Sequence, residues 1–450
     1  MSRHPLLRAE LAAATRLAAP VALVQLGMML MGVVDTMMLG HLSAEALAAG
    51  ALGHVITITA LIFGYGVLTA LDPLIGQAYG AGDAAAIGGH MQRGFLMSAV
   101  LTVPFTLLLL DTEPVLVLLG QPAGVSAQAA SYIQGILWGG LPYFAFVVLR
   151  QTLQAMSVVR PAAMSIVVGN IVNVIVNWAL IYGNLGMPAL GVRGASYATS
   201  LSRWAMFAYL LWASRRHLAP YWRGFTVEAL RGHRMMLRIG IPIGVHNSVE
   251  LLIFAVAALL IGRIGVHDLA GHQVAINLAS LSFMVPLGIS GAAATRVGNA
   301  IGRGDMPAAR RAAAVCLFLG GAAMSCFAVL FIVLPEPLAR LYTEDPAVIA
   351  VVLSLLPIAA LFQVFDGLQV VGAGVLRGAA DTALPALIVL IGYWVLGLPV
   401  GWYLAFHEGQ GARGLWWGFT IGILFMALLF ILRIAFRFRG ALRRIGEASV

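Results

Sequence analysis

The sequence predicts an all-α integral membrane protein of twelve transmembrane helices in two parallel six-helix repeats. Three observations predict it: a composition that water cannot solvate in folded form, apolar segments of membrane-crossing length along nearly the whole chain, and a motif that returns in the second half. Of 450 residues, 61% are hydrophobic and 10% charged, with a mean hydropathy of +0.93. Soluble domains carry about 25% charged residues, so no room remains here for a large soluble domain.

A helix needs about 20 mostly apolar residues to cross a hydrocarbon core of about 30 Å. Such segments fall at 17–39, 50–72, 92–110, 129–150, 161–183, 192–213, 237–261, 270–292, 311–334, 349–374, 384–406 and 414–435. The first follows Arg3, Arg8 and Arg16 and runs apolar through Met38 without a cleavage pattern, so it reads as a retained span rather than a signal peptide. Cys316 and Cys326 share the ninth span. On a helix they stand about 15 Å apart and cannot pair with each other. No Cys/His cluster suggests a zinc site.

All 27 basic residues are arginine, and 18 acids leave a net charge of +9. A basic balance can signal nucleic acid, but these arginines gather in alternate loops, as the positive-inside rule requires, and no nucleic-acid partner is expected. With the N-terminus in the cytoplasm, 22 arginines lie inside, including Arg93, Arg150, Arg160, Arg215, Arg216, Arg223, Arg231, Arg296 and Arg443. Four lie outside, Arg193, Arg263, Arg340 and Arg413, while Arg203 stays within the sixth span. Both termini are therefore expected in the cytoplasm, with the chain in a bacterial inner membrane.

The stretch Gly76-Gln-Ala-Tyr-Gly-Ala-Gly-Asp83 returns as Gly298-Asn-Ala-Ile-Gly-Arg-Gly-Asp305, and at the same shift of 222 residues Pro20 meets Pro242 and Gly40 meets Gly262. Further on, Gly191-Val-Arg-Gly194 resembles Gly411-Ala-Arg-Gly414. Each half thus holds six spans, and an even number makes the halves parallel, related by an axis along the membrane normal. The predicted domains are an N-terminal lobe 1–213, an Arg-rich cytoplasmic linker 214–236, a C-terminal lobe 237–435 and a basic tail 436–450. The glycine motif is expected in cytoplasmic loops after the second and eighth spans, where tight turns account for it. With no lysine in the chain there is no P-loop, so energy must come from an ion gradient or a partner.

Most acids fall in predicted loops, but Asp35, Glu250 and Asp366 fall inside spans. A charge at that depth costs at least about 2.5–3.5 kcal/mol on insertion scales, so such groups usually face a cavity and carry function. The shift of 222 pairs Asp35 with Ala257, Glu250 with Met28 and Asp366 with Phe144, so the acids are not relics of one duplicated feature. Two acids within reach of each other repel when both are ionised, which demands a shared proton or a metal cation. In the fifth span Asn170, Asn173 and Asn177 lie on one helix face. They serve either helix packing or a cluster with Asp35. Gln273 and Asn277 make a similar pair in the eighth span, and His246 stands one turn before Glu250.

These residues resemble the multidrug and toxic compound extrusion (MATE) family, and within it the NorM-type branch. The resemblance is carried by Val34-Asp-Thr-Met-Met-Leu-Gly-His-Leu42, Pro73-Leu-Ile-Gly-Gln-Ala-Tyr-Gly80, Gly271-His-Gln-Val-Ala-Ile-Asn277 and Gly374-Val-Leu-Arg-Gly378, and spans nearly the whole chain. It implies two six-helix lobes around a V-shaped central cavity and export of structurally varied, often cationic compounds in exchange for protons or sodium ions. Asp35 resembles the acid of the family's N-lobe proton site, with Asn173 and Asn177 as its partners. Some relatives carry an aspartate where Asn177 stands. Glu250 and Asp366 resemble the C-lobe acids of sodium or drug sites, and both are candidate sodium ligands. Gln273 and Asp345 resemble contacts for a cationic drug, with Asn277 beside them. Phe362, one turn before Asp366, stands where the sodium-linked pattern has tyrosine, which removes one oxygen from a site for a hard cation.

The expected protein is therefore a secondary antiporter rather than an enzyme, acting as a monomer on small organic cations in the bilayer, with no catalytic residue and no cofactor beyond its coupling ion. Two other readings compete. A lipid-linked-sugar flippase of the same superfamily would want a cationic cavity, for which only Arg203 argues. An intramembrane aspartyl protease would use Asp35 and Asp366 as a dyad, but no GxGD motif surrounds either acid.

Overall fold

In the computed structural model the described residues are 3–222, 224, 232–440, 442, 444 and 445; Arg223, Arg231 and Arg443, with much of the predicted linker and tail, lie outside them. The helices are α1 (Arg3–Gly40), α2 (Ala44–Leu68), α3 (Leu71–Gly80), α4 (Ala84–Leu109), α5 (Glu113–Leu118), α6 (Ala123–Ile136), α7 (Gly140–Ala155), α8 (Arg160–Tyr182) and α9 (Val192–Leu218). After the linker come α10 (His233–Gly262), α11 (Val266–Gly302), α12 (Met306–Val333), α13 (Pro335–Arg340), α14 (Pro346–Gly378), α15 (Ala383–Leu390), α16 (Leu398–Trp402) and α17 (Ala412–Arg437). Two π-helical turns, Ile391–Gly397 and Tyr403–His407, join α15 and α16 into one continuous span.

Eleven stretches among the described residues are long and apolar enough to cross a membrane. The twelfth span is α9, whose 27 residues reach about 40 Å at the α-helical rise. Arg193, Arg203, Arg215 and Arg216 dilute its apolarity, and its small and hydroxylated face, including Ser196, Thr199, Ser200 and Ser202, is buried against α6, α7 and α8. The predicted all-helical, twelve-span class is the observed one.

The chain forms two compact units. The N-terminal unit is Leu23–Gly244, and the C-terminal unit is Val245–Val450 together with Met1–Ala22. The two internal boundaries, 22/23 and 244/245, are separated by the repeat shift of 222 residues, so α1 and α10 each change unit at equivalent points, just after Pro20 and Pro242.

Glycine packing repeats with the same period. In the N-terminal unit a Cβ on Gly66 of α2 would lie 2.5 Å from the Gly244 Cα of α10; in the C-terminal unit one on Gly288 of α11 would lie 2.6 Å from the Ala22 Cβ of α1. Only glycine permits these backbones to approach so closely. Gly66→Val and Gly288→Val should therefore each destabilise the protein by about 1–3 kcal/mol through overpacking. Thermal melting in detergent reads this out, with Gly440→Val as control, because Gly440 is exposed and a Cβ there would meet nothing within 4 Å. Melting temperatures equal to wild type for the two buried variants would show that the contact is not tight.

The glycine motif proves to be more helix than loop. Gly76–Gly80 closes α3 and Gly298–Gly302 closes α11, with Gly76–Ala78 and Gly298–Ile301 buried; only the last three residues of each copy turn. Asp83 N donates to Ala78 O at 3.0 Å and Gly82 N to Tyr79 O at 3.1 Å; Asp305 N donates to Ala300 O at 3.0 Å and Gly304 N to Ile301 O at 2.9 Å. These are two copies of one Schellman ending, each with its glycine in the left-handed region at φ 71° and 73°. The aspartates then accept from Ala86 N and Ala308 N, each at 2.9 Å, and start α4 and α12.

Candidate functional site: a buried carboxylate in each unit

In the N-terminal unit α1 carries Asp35 into the interior, where it is 4% exposed. Asn173 and Asn177, one turn apart on α8, donate their Nδ2 groups to Asp35 Oδ1 at 3.0 and 2.6 Å. Thr199 of α9 donates Oγ1 to Oδ2 at 2.5 Å, and Asn177 also donates to Asn173 Oδ1 at 3.2 Å. Both carboxylate oxygens are thus met by donors from two other helices, as an ionised acid in an apolar span requires. The same shell accommodates the neutral acid, because a threonine hydroxyl that donates to a carboxylate can turn and accept from a carboxyl O–H. Asn170 does not join this cluster: it binds Gly27 O and Ile166 O, each at 2.9 Å, and tethers α8 to α1.

Two more buried acids lie outside the three that the span pattern singles out. Asp72, 1% exposed, stands in the first turn of α3 and acts electrostatically on Arg150 of α7. Arg150 is itself buried, donating to Gln25 Oε1 at 2.7 Å and the Tyr65 hydroxyl at 3.0 Å. Glu10, 7% exposed, forms a bidentate pair with Arg296 at 2.7 and 2.8 Å. The pair anchors the start of α1 in the C-terminal unit.

In the C-terminal unit Glu250 of α10 and Asp366 of α14 act electrostatically on each other. His246 Nε2 lies 3.6 Å from Glu250 Oε2 and 3.4 Å from Gln369 Nε2. The one ring nitrogen can donate to Glu250 or accept from Gln369, according to tautomer. Tyr393, in the first π turn, directs its hydroxyl at Glu250 Oε1 at 3.5 Å, and the neighbouring Trp394 donates Nε1 to Val249 O at 3.2 Å. Phe362 is 2% exposed and packs edge-on against Phe254 and Trp416, with ring centroids at 6.4 and 5.8 Å. The oxygen that Phe362 lacks thus has a counterpart on Tyr393, from a different helix.

Of the remaining candidates, Gln273 is exposed and Asn277 half-buried on α11, and neither makes a side-chain hydrogen bond among the described residues. Asp345 caps α14, accepting from Ala347 N at 2.8 Å, and its exposed carboxylate lies 4.0 Å from His267 Nε2. Among the described residues no group of three or more His, Cys, Asp or Glu side chains gathers as a metal site.

The model of the family described as MatE matches residues 20–179 and again 242–403, twice along one chain and 222 residues apart at their starts. The chain belongs to the MatE family. It is 36% identical over 443 residues to "Multidrug resistance protein MdtK" of Pectobacterium atrosepticum, covering 95% of this chain and 96% of that one. It is 37% identical over 427 residues to the protein of the same name from Yersinia pseudotuberculosis, covering 93% of each. Among solved structures, that titled "Crystal structure of eukaryotic MATE transporter AtDTX14" superposes with a TM-score of 0.88 at 25% identity, covering 95% of this chain and 96% of that one. A second, "Outward-facing conformation of a multidrug resistance MATE family transporter of the MOP superfamily", shares the fold with a TM-score of 0.85 at 19% identity, covering 96% of each. This MatE-family chain is thus a multi-pass membrane protein of a transporter family.

Proposed function

We propose that this protein is a multidrug efflux antiporter that exports hydrophobic, often cationic compounds from the cell in exchange for protons, sodium ions or both. The observation that carries the reading is the Asp35 carboxylate, buried within a membrane span and held by exchangeable hydrogen-bond partners on α8 and α9. The names of the curated relatives, shared over more than nine-tenths of the chain, supply the substrate class. In this reading 1–213 and 237–435 are the lobes that rock against each other, 214–236 is the linker and 436–450 the tail. Asp35, Asn173, Asn177, Glu250 and Asp366 couple the ion, while Gln273, Asn277, Asp345 and Phe362 contribute to the substrate path. An ion can drive the cycle only by binding one state better than the other, and the neutralisation of a buried carboxylate supplies that difference. Inverted vesicles should accumulate a labelled organic cation when an ion gradient is imposed and not otherwise. Gradient-independent accumulation, or none under any gradient, would count against antiport.

The same reading places both termini in the cytoplasm of a bacterial inner membrane, with the protein acting as a monomer. Single cysteines introduced at Gly409 and Asp345 into a variant lacking Cys316 and Cys326 should label from the periplasm with a membrane-impermeant maleimide. One at Gly232 should label only after the membrane is opened. The reverse pattern would invert the topology.

A further inference from the structure

Arginine is costly near the middle of a membrane helix, and Arg203 lies in the central part of α9. Its guanidinium rests 5.0 Å from the centroid of the Tyr143 ring. Its Nη1 is buried and makes no hydrogen bond. No carboxylate pairs with it among the described residues. Asp35 acts on it electrostatically, but both oxygens of Asp35 are engaged by Asn173, Asn177 and Thr199. Arg150 of the same unit makes the contrast, since its guanidinium is held by Gln25 and Tyr65 and acted on by Asp72. Arg203 is therefore a desolvated cation with a free donor and a flat aromatic neighbour. Arg203, Tyr143 and Tyr65 all keep part of their surface exposed, so the group is reachable.

A guanidinium in this state fits a planar anion that can accept two parallel N–H bonds, while the tyrosine face beside it suits an aromatic body. We propose that Arg203 forms a subsite for the carboxylate of a transported aromatic zwitterion, so that the N-terminal unit accepts compounds carrying an acid as well as an amine. The subsite selects among exported compounds and rests on the efflux reading above. An unpaired buried cation is retained at a cost in stability, and a ligand carboxylate supplies the missing counter-charge. A plain cation gains nothing at Arg203 and is repelled by it.

Rhodamine 110 and rhodamine 123 test this directly, because the second is the methyl ester of the first and the two differ only in the carboxylate. In proteoliposomes Arg203→Gln should raise the KM for rhodamine 110 roughly tenfold to a hundredfold, the worth of a charged hydrogen bond, and leave that for rhodamine 123 unchanged or lower. Arg203→Lys, which keeps the charge but not the fork, should fall between and serves if the glutamine variant does not fold. Equal losses for both dyes would make Arg203 a structural or Asp35-positioning residue and overturn the subsite. So would unchanged kinetics for both, or failure of the wild type to carry rhodamine 110 while it carries rhodamine 123. Failure to carry either dye would remove the efflux reading itself, and the subsite with it.

Discussion

Asp35→Asn should fold, bind organic cations as the wild type does, and export nothing above the level of empty liposomes under any imposed gradient. The substitution is nearly isosteric, and its surroundings are made to tolerate it. Thr199 can donate to the new carbonyl oxygen, and the Asn173 and Asn177 amides can reorient to present acceptors to the new NH₂ group. What is lost is the change of charge. A group that is neutral in every state binds no coupling ion in one state more than in another, and so transmits no gradient. Thr199→Val provides the graded companion: it removes one charge-assisted hydrogen bond, worth about 1.5–3 kcal/mol, while leaving the carboxylate in place, so export should slow without stopping. Counterflow exchange, which needs no gradient, should survive in Asp35→Asn and show that the variant is intact. Undiminished export by Asp35→Asn at every pH would remove Asp35 from the coupling scheme.

Asp35 and its two asparagines were legible because polar residues are rare inside apolar spans, and Asn173 and Asn177 fall one turn apart on one face. Thr199 was not, since α9 carries several hydroxyls and helical hydroxyls ordinarily bond the carbonyl one turn back, as Ser202 does to Ala198 O at 2.7 Å. Nothing in the spacing of α9 tells which hydroxyl faces another helix. Tyr393 was hidden for a different reason: its direction is set by the π turn at Ile391–Gly397, which shifts the phase of the helix and breaks any reading based on 3.6-residue periodicity. Asp72 fell at the predicted end of the second span, where an acid reads as interfacial, whereas a sharp break after Leu68 turns it inward on a separate helix. The glycine motif showed the repeat correctly but not where helix gives way to turn, because the decisive positive-φ residue is the seventh of eight. Sequence pattern carries what each helix faces on average; it does not carry which side chains from separate helices meet.

The largest effect in the C-terminal unit should come from Glu250→Gln and Asp366→Asn, each of which should sharply impair export. We propose that protons at least partly drive export through this pair, and that sodium contributes less than in sodium-linked relatives of the NorM-type branch. Two carboxylates that act on each other in a low-dielectric site cannot both hold a bare negative charge cheaply, so a proton or a cation on one of them stabilises the pair. A cationic substrate arriving at the same groups competes with that ion, which is the reciprocal linkage an antiporter needs. The choice of ion turns on oxygen ligands, because sodium must replace its water with hard donors. Phe362 offers an aromatic edge packed on Phe254 and Trp416 and no oxygen. Tyr393 offers one, but its hydroxyl points at Glu250 Oε1 at 3.5 Å, where it serves as a donor to the carboxylate. To ligate sodium it must rotate and give up that bond. Phe362→Tyr should therefore raise sodium dependence by adding a second hydroxyl one turn before Asp366. Tyr393→Phe should abolish whatever sodium-driven export the wild type has while sparing the proton-driven part. Reconstitution in liposomes with each gradient imposed alone measures all four variants on one scale. Full export driven by sodium alone in the wild type, with none driven by protons, would overturn proton coupling. Sodium-driven export that persists in Tyr393→Phe would show that the tyrosine oxygen is not among the ligands.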